Sequence, residues 1–213
     1  MDQNYLTQTE FQPIDLENAI KEEFYSPFVL PYKRLLINHI VEKISEKENY
    51  LTAELQNKST SFEFDILTLE LDRVKYYLKK YLRTRLTKIE RNIFFIFQND
   101  LASYLSKSEF NFALSYYTLL TKQFSDNFLS KVDEKYGQRL FNQNIMNNSK
   151  STVGLSIVDS PDDNRFVFVK FNAAIANMIL DRGTTQKFQK NDILLVAFKY
   201  VKTLVEEEKA VLI

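Results

Sequence analysis

The chain has 213 residues, 45% of them hydrophobic and 26% charged, with 28 Lys+Arg balanced by 28 Asp+Glu. That is enough for one substantial core with a small satellite domain, too apolar for a disordered chain, and without the excess of bases expected of a polybasic nucleic-acid binder. The absence of cysteine removes disulfides, thiolate metal sites and cysteine nucleophiles, and a single histidine, His39, removes any multi-histidine metal site.

Glycine and proline divide the sequence. Between Tyr32 and Tyr136 there is neither, over 105 residues, where ordinary usage would place roughly a dozen. A sheet needs turns and turns need these residues, so this stretch is expected to be helical. A short acidic helix is predicted from about Asp15 to Tyr25, stopped by Ser26-Pro27. A second follows Pro31 and runs to about Lys58, with Leu35, Leu36, Ile40, Ile44, Leu51 and Leu55 near helical spacing. The third is predicted from Phe62 to Phe97. A fourth begins near Ser106, whose spacing to Glu109 suits a capping box, and is predicted to reach Tyr136.

After Phe141 the texture changes. NQNIMNNSKST is polar and aperiodic and reads as a linker. Short apolar runs follow, at Arg165–Lys170, Ile175–Leu180 and Ile193–Tyr200, with turn residues between them and a helical turn expected across Thr203–Glu208. The predicted architecture is mainly α, with a helical bundle over 1–141, a linker over 142–158 and a small β-rich domain over 159–213. The apolar end, Ala210-Val-Leu-Ile213, is expected to be a strand of that domain, with Leu212 and a neighbour against Phe166, Phe168 or Val196. Residues 1–31 carry six acids and one base, whereas residues 32–141 carry 18 bases and 14 acids.

The densest charge lies between Arg73 and Arg91, with eight bases and one acid, Glu90. At about 100° per residue, Leu67, Leu71, Val74, Leu78, Leu82 and Ile89 share one face, and Arg73, Lys79, Lys80, Arg83 and Arg91 occupy most of the other. A solvated or partner-facing polar side is therefore preferred to direct DNA contact. Arg85 is the exception: it points into the apolar face, where it needs a carboxylate or several carbonyls. In NIFFIFQ, Phe94, Phe95, Ile96 and Phe97 put apolar groups on more than one side, which favours burial between chains. No phosphate loop, HExxH, GxSxG or EF-hand pattern is present. The expectation is a soluble intracellular protein without catalytic residues, cofactor, metal or membrane span.

Three blocks carry a resemblance. Ser26-Pro-Phe-Val-Leu-Pro-Tyr32 is similar to an S-P-E-L-L-P-Y entry into a long helix. Leu71–Glu90 holds Arg73, a basic-aromatic pair, Tyr81-Leu82-Arg83, Arg85-Leu86 and Lys88-Ile89-Glu90. The third block is Tyr200-Val201 with Lys209-Ala-Val-Leu-Ile213. In that order they resemble the SLD-five family of subunits of the GINS complex of eukaryotic DNA replication; Thr84 departs from the cysteine common in relatives. The resemblance implies a helical A domain followed by a B domain. It also implies a non-catalytic scaffold that acts in the nucleus as an obligate hetero-oligomer with the three Psf subunits. Through that assembly it would support the replicative helicase built on the MCM motor ring and a Cdc-type cofactor. Arg73, Tyr81, Arg83, Arg85, Lys88, Phe94, Phe95, Leu212 and Ile213 become the candidate interface or structural residues. The alternative is a stand-alone DNA-binding module using the basic helix 73–91.

Overall fold

The computed structural model describes residues 13–56, 62–131, 160–180 and 185–213. The predicted linker, 142–158, lies outside the described residues. Helix α1 spans Pro13–Tyr25, α2 Arg34–Gln56 and α3 Phe62–Arg91, followed by the short α4, Ile93–Gln98, and by α5, Lys107–Asn127. Ser26 closes α1 through its N–H to the Glu22 carbonyl, and Pro27 and Pro31 keep the next residues out of helix. The extended segment between them alternates its side chains. Phe28 and Leu30 enter one apolar cluster and Val29 enters another.

Two corrections concern helix ends. The helix expected from Phe62 to Phe97 is broken at Asn92, whose φ of −112° and ψ of 24° leave the helical range. The Asn92 side-chain amide donates to the Lys88 carbonyl, the acceptor its own N–H already uses, the local competition that bends helices at such residues. The helix after Ser106 ends at Asn127 rather than Tyr136: Phe128 departs at φ −124° after the poor helix formers Asp126 and Asn127. Its start is as expected, since Ser106 and Glu109 exchange both hydrogen bonds of a capping box.

The C-terminal region holds an antiparallel three-stranded sheet in the order β4-β1-β5, from Ile193–Ala197, Phe166–Phe171 and Ala210–Leu212. A hairpin of β2 (Ile175–Ile179) and β3 (Thr185–Phe188) stands beside it. The run Ile193–Tyr200 is not one strand. It ends at Ala197, and α6 occupies Phe198–Glu206, in place of the expected turn at Thr203–Glu208. Phe198, Val201 and Val205, at helical spacing, bury themselves on the sheet. The chain end pairs with β1, Val169 opposite Leu212. Leu212 is buried with Val169, Phe171 and Val196, whereas Phe166 and Phe168 sit on the opposite, exposed face. Of the three expected alternatives it is Val196 that shares the Leu212 cluster, since the period-two alternation of β1 turns Phe166 and Phe168 to the other face.

The sheet is joined to the helices. Phe28 and Leu30 belong to its core, with Phe95 packed against it, and the rings of Phe28 and Phe198 stack at 5.8 Å. Lys202 stands 4.5 Å above the Phe28 ring, and the Tyr104 hydroxyl donates to Glu206 at 3.1 Å. Among the described residues, no helix is long and apolar enough to cross a membrane.

Candidate protein interface on the third helix

Helix α3 is the element around which the other helices are arranged, and its sides differ in chemistry. Toward the interior, at roughly 100° per residue, Leu71, Val74, Leu78, Tyr81, Leu82, Arg85 and Ile89 form a single stripe. Tyr81 closes the α1–α2–α3 cluster with Leu16, Ala19, Ile20, Leu36, Ile37 and Ile40. Ile89 closes a second cluster with Val29, Ile93, Ile96, Leu105 and Ala113.

Between these clusters lies Arg85, with 0% of its surface exposed. Its Nε donates to Glu109 Oε1 at 2.7 Å and one Nη2 proton to Glu109 Oε2 at 3.2 Å, a forked pair. Nη1 donates to Glu23 Oε2 at 3.0 Å and to the Leu30 carbonyl at 2.7 Å, and Nη2 reaches the Tyr104 carbonyl at 3.0 Å. All five N–H donors of the guanidinium are thereby used. The rings of Tyr32 and Tyr81 lie 5.4 and 5.7 Å from its central carbon. Glu23 also accepts from Lys88 Nζ at 3.1 Å, while Lys88 donates to the carbonyls of Glu23 and Phe28. Two cations and two carboxylates balance in a site that ties α1, the entry segment, α3 and α5 together.

The electrostatics agree with that balance. Burial pushes the Glu109 carboxyl up, but the Arg85 hydrogen bonds and charge, with those of Ser106, prevail and hold it below the usual carboxylate value. Burial opposes the charge of Arg85, and Glu109 and Glu23 more than restore it. Lys88 goes the other way: burial lowers it, and Glu23 only partly compensates. Burial raises the Tyr81 hydroxyl to about 12.

The outer stripe of α3 runs through Phe62, Ile66, Leu69, Arg73, Tyr76, Lys80, Arg83, Thr87 and Arg91, and it changes character along its length. The first half is apolar and open, with Phe62 81% and Leu69 74% exposed and Ile66 and Tyr76 also exposed. Leu35, Val41 and Tyr50 are likewise exposed on α2. The second half is basic. Lys79, Lys80, Arg83, Arg91 and Arg165 are exposed, and among the described residues no carboxylate lies within ion-pair distance of any of them.

The candidate residues therefore separate. Arg73 is exposed on the stripe, 5.9 Å from the Tyr77 ring centroid, and Arg83 is exposed beyond it. Tyr81, Arg85 and Lys88 face inward. Phe94 packs against Tyr117 and Phe124 of α5, and Phe95 against Phe28. Both are half-buried by this chain's own elements, so part of each ring is covered within the chain. Leu212 is buried, whereas Ile213 is exposed and tied by its N–H to the Phe168 carbonyl. Sequence reasoning missed Glu23 and Glu109 as the partners of Arg85. The capping-box spacing marked Glu109, but nothing local showed that its carboxylate would serve a helix 24 residues away. It also missed Phe28, whose position between two prolines was the available signal.

The family described as the GINS complex protein helical bundle domain matches residues 35–128, and that described as the DNA replication complex GINS protein SLD5 C-terminus matches residues 161–213. The chain is 30% identical to the DNA replication complex GINS protein SLD5 of Dictyostelium discoideum, over 100% of this chain and 97% of that relative. It is 27% identical to the corresponding protein of Schizosaccharomyces pombe, covering 92% and 88% of the two chains. With that of Arabidopsis thaliana the identity is 26%, over 90% and 86%.

Proposed function

From the premise that this chain belongs to the SLD5 family, and so is a subunit of the GINS complex in DNA replication, we propose that it is a non-catalytic scaffold, shaped to be completed by partner subunits. The partners are the three Psf subunits, in an obligate hetero-oligomer in the nucleus. Through them the assembly engages the MCM motor ring and the Cdc-type cofactor of the replicative helicase. The A domain takes residues 1–141, the linker 142–158 and the B domain 159–213.

The observation that carries this reading is the apolar half of the outer stripe on α3. Phe62, Ile66, Leu69 and Tyr76 are exposed on one side of a single helix. Exposed apolar side chains in such a row are what a partner covers, and a chain working alone would leave them in water. The stand-alone DNA-binding alternative has less support, because the basic helix is partly spent. Lys75 pairs with Glu48, and Arg85 and Lys88 pair with Glu23 and Glu109.

Co-expression with the three Psf subunits, followed by size-exclusion chromatography with light scattering, tests the proposal. A single particle with one copy of each chain is expected. A monodisperse, soluble monomer eluting apart from the other three would overturn it.

A further inference from the structure

Away from the helices, the C-terminal sheet leaves an edge open. Its order is β4-β1-β5. At one side the short β5 is packed against α1. At the other, among the described residues, no strand pairs with the outer edge of β4. We propose that this edge is a docking site for an extended segment of a partner protein, which adds to the sheet as a fourth strand. The segment is apolar at alternate positions and acidic where it reaches the start of β4.

The backbone identifies the groups left over. The Phe198 N–H donates to the Arg165 carbonyl and the Phe171 N–H to the Asp192 carbonyl. Between those bonds the register runs from Phe166 opposite Ala197 to Lys170 opposite Ile193, without a bulge. Bonded and non-bonded pairs alternate along an antiparallel ladder, so Leu194 and Val196 turn their N–H and C=O groups toward β1. Ile193 and Leu195 turn theirs away, and among the described residues no hydrogen bond joins those groups to another element. Edges of this kind are normally blunted by a lysine, a proline or a bulge, or are covered. The β4 sequence, Ile-Leu-Leu-Val-Ala, carries neither charge nor proline, and its pairing is regular.

The side chains say what kind of strand fits. Ile193, Leu195 and Phe168, which faces Leu195 across the ladder, are each more than half exposed. Ile213 continues the row on the far side, its N–H bonded to the Phe168 carbonyl. A sheet face left to water carries polar residues. This row is apolar from Ile213 to the open edge, and a strand beyond Leu195 extends it with a further apolar side chain. Charge distinguishes the two ends of the edge. Lys170 stands opposite Ile193, with Lys187 and Lys190 just before the strand, and among the described residues no carboxylate lies within ion-pair distance of any of the three. The neighbouring Asp192 carboxylate accepts from the Gln189 N–H. At the other end Arg165 and Lys199 are matched by Asp162 and Asp163, to whose carbonyls their own N–H groups are bonded. The excess of cations is thus at the start of β4, and a segment running antiparallel to it is acidic toward its C-terminal end. Main-chain bonds to a free edge with alternate side chains read beside it are a recurring mode of peptide recognition.

The test is fluorescence anisotropy with a labelled peptide of about nine residues, valine alternating with threonine and two glutamates closing its C-terminal end. It is added to the full chain in the particle with which the chain purifies, which keeps the result independent of the assembly reading. Saturable binding is expected. Methylating one alternate set of the peptide's backbone nitrogens should weaken it more than about tenfold, and methylating the other set should change it little, because only one set faces β4. Lysines in place of the glutamates should weaken it about threefold at low salt. On the protein side, Ile193→Pro removes an outward donor at the first residue of a strand, where proline is tolerated, and is expected to weaken binding about fivefold while the Val167 and Val169 amides stay protected. Hydrogen exchange gives a second reading: the peptide should slow the Ile193 and Leu195 amides at least about tenfold, whereas those of Leu194 and Val196 are slow already. The methylated peptides leave the protein untouched, so they decide the matter even if Ile193→Pro does not fold. Absence of binding, equal effects of the two methylated sets, or unchanged binding by a folded Ile193→Pro would each overturn the proposal. So would displacement of the peptide by polyglutamate or oligothymidylate as effectively as by unlabelled peptide, since the lysines alone would then account for it. Protection of Ile193 and Leu195 before any peptide is added would assign the edge to this chain or its particle and overturn it too.

Discussion

The inner and outer sides of α3 are built from similar residue types and end in opposite states. On the inner side a guanidinium, an ammonium and two carboxylates are buried, and every donor of Arg85 has an acceptor in this chain. On the outer side the apolar residues face solvent and, among the described residues, Lys79, Lys80, Arg83 and Arg91 have no carboxylate within ion-pair distance. Burial of charge is costly unless it is fully paired, so the inner side is complete by itself. The outer side has paid no such cost and retains unsatisfied surface. The difference separates what makes the fold from what the fold offers to other molecules.

The comparison can be broken most severely at the chain end. Deleting Lys209–Ile213 removes β5 and the buried Leu212, and the loss of two such side chains is about 3–6 kcal/mol. The sheet is expected to unfold and to uncover Phe28, while the Arg85 site, which draws on none of those five residues, stays closed. Hydrogen exchange checks this: protection retained in β1 and β4 would contradict it. Next in size is Arg85→Ala, which leaves Glu23 and Glu109 buried without their main partner and is expected to cost about 3–5 kcal/mol in chemical denaturation.

A pH series sharpens the same point. Glu109 has a folded-state value below the ordinary 4.5, so its contribution is complete above the unfolded value and is lost as pH falls through the folded one. Glu22 has the opposite sign: burial raises it despite Lys33, so its ionisation opposes folding and acidification relieves that first. The natural chain should therefore lose stability below about pH 4.5 more steeply than Glu109→Gln, as read from urea midpoints. Equal slopes would remove Glu109 from the account. The smallest effect is expected on the outer side. Lys80→Ala should change stability by about 0.5 kcal/mol or less, and a loss equal to that of Arg85→Ala would show that the two sides of α3 are not distinct.

Much of the inner side was legible in the sequence, because a helix converts spacing directly into direction. Arg85 stood out as a cation in an apolar stripe, and Ser106 announced the capping box that places Glu109. The break at Asn92 was not legible, since it arises when a side-chain amide competes for one carbonyl within a strongly apolar run. Helix α6 was hidden because Leu194, Leu195, Val196 and Ala197 lead without interruption into Phe198, its first residue, and a continuous apolar run has no period to read. Phe94 and Phe95 seemed too apolar for one chain to cover. The structure half-buries them with α5 and with the Phe28 segment, contacts between distant parts of the chain that local periodicity does not encode.

The claim that the inner side of α3 is complete and the outer side awaits a partner is tested most directly by hydrogen exchange on the chain alone and on the chain in its co-expressed complex. Around Arg85 and Ile89 the amides should already be protected in the free chain and change little. From Phe62 to Tyr76 they should exchange at least about tenfold more slowly in the complex, since a covering partner raises the cost of local opening. Equal exchange over Phe62–Tyr76 in the two states, in a complex shown to be intact, would contradict the account.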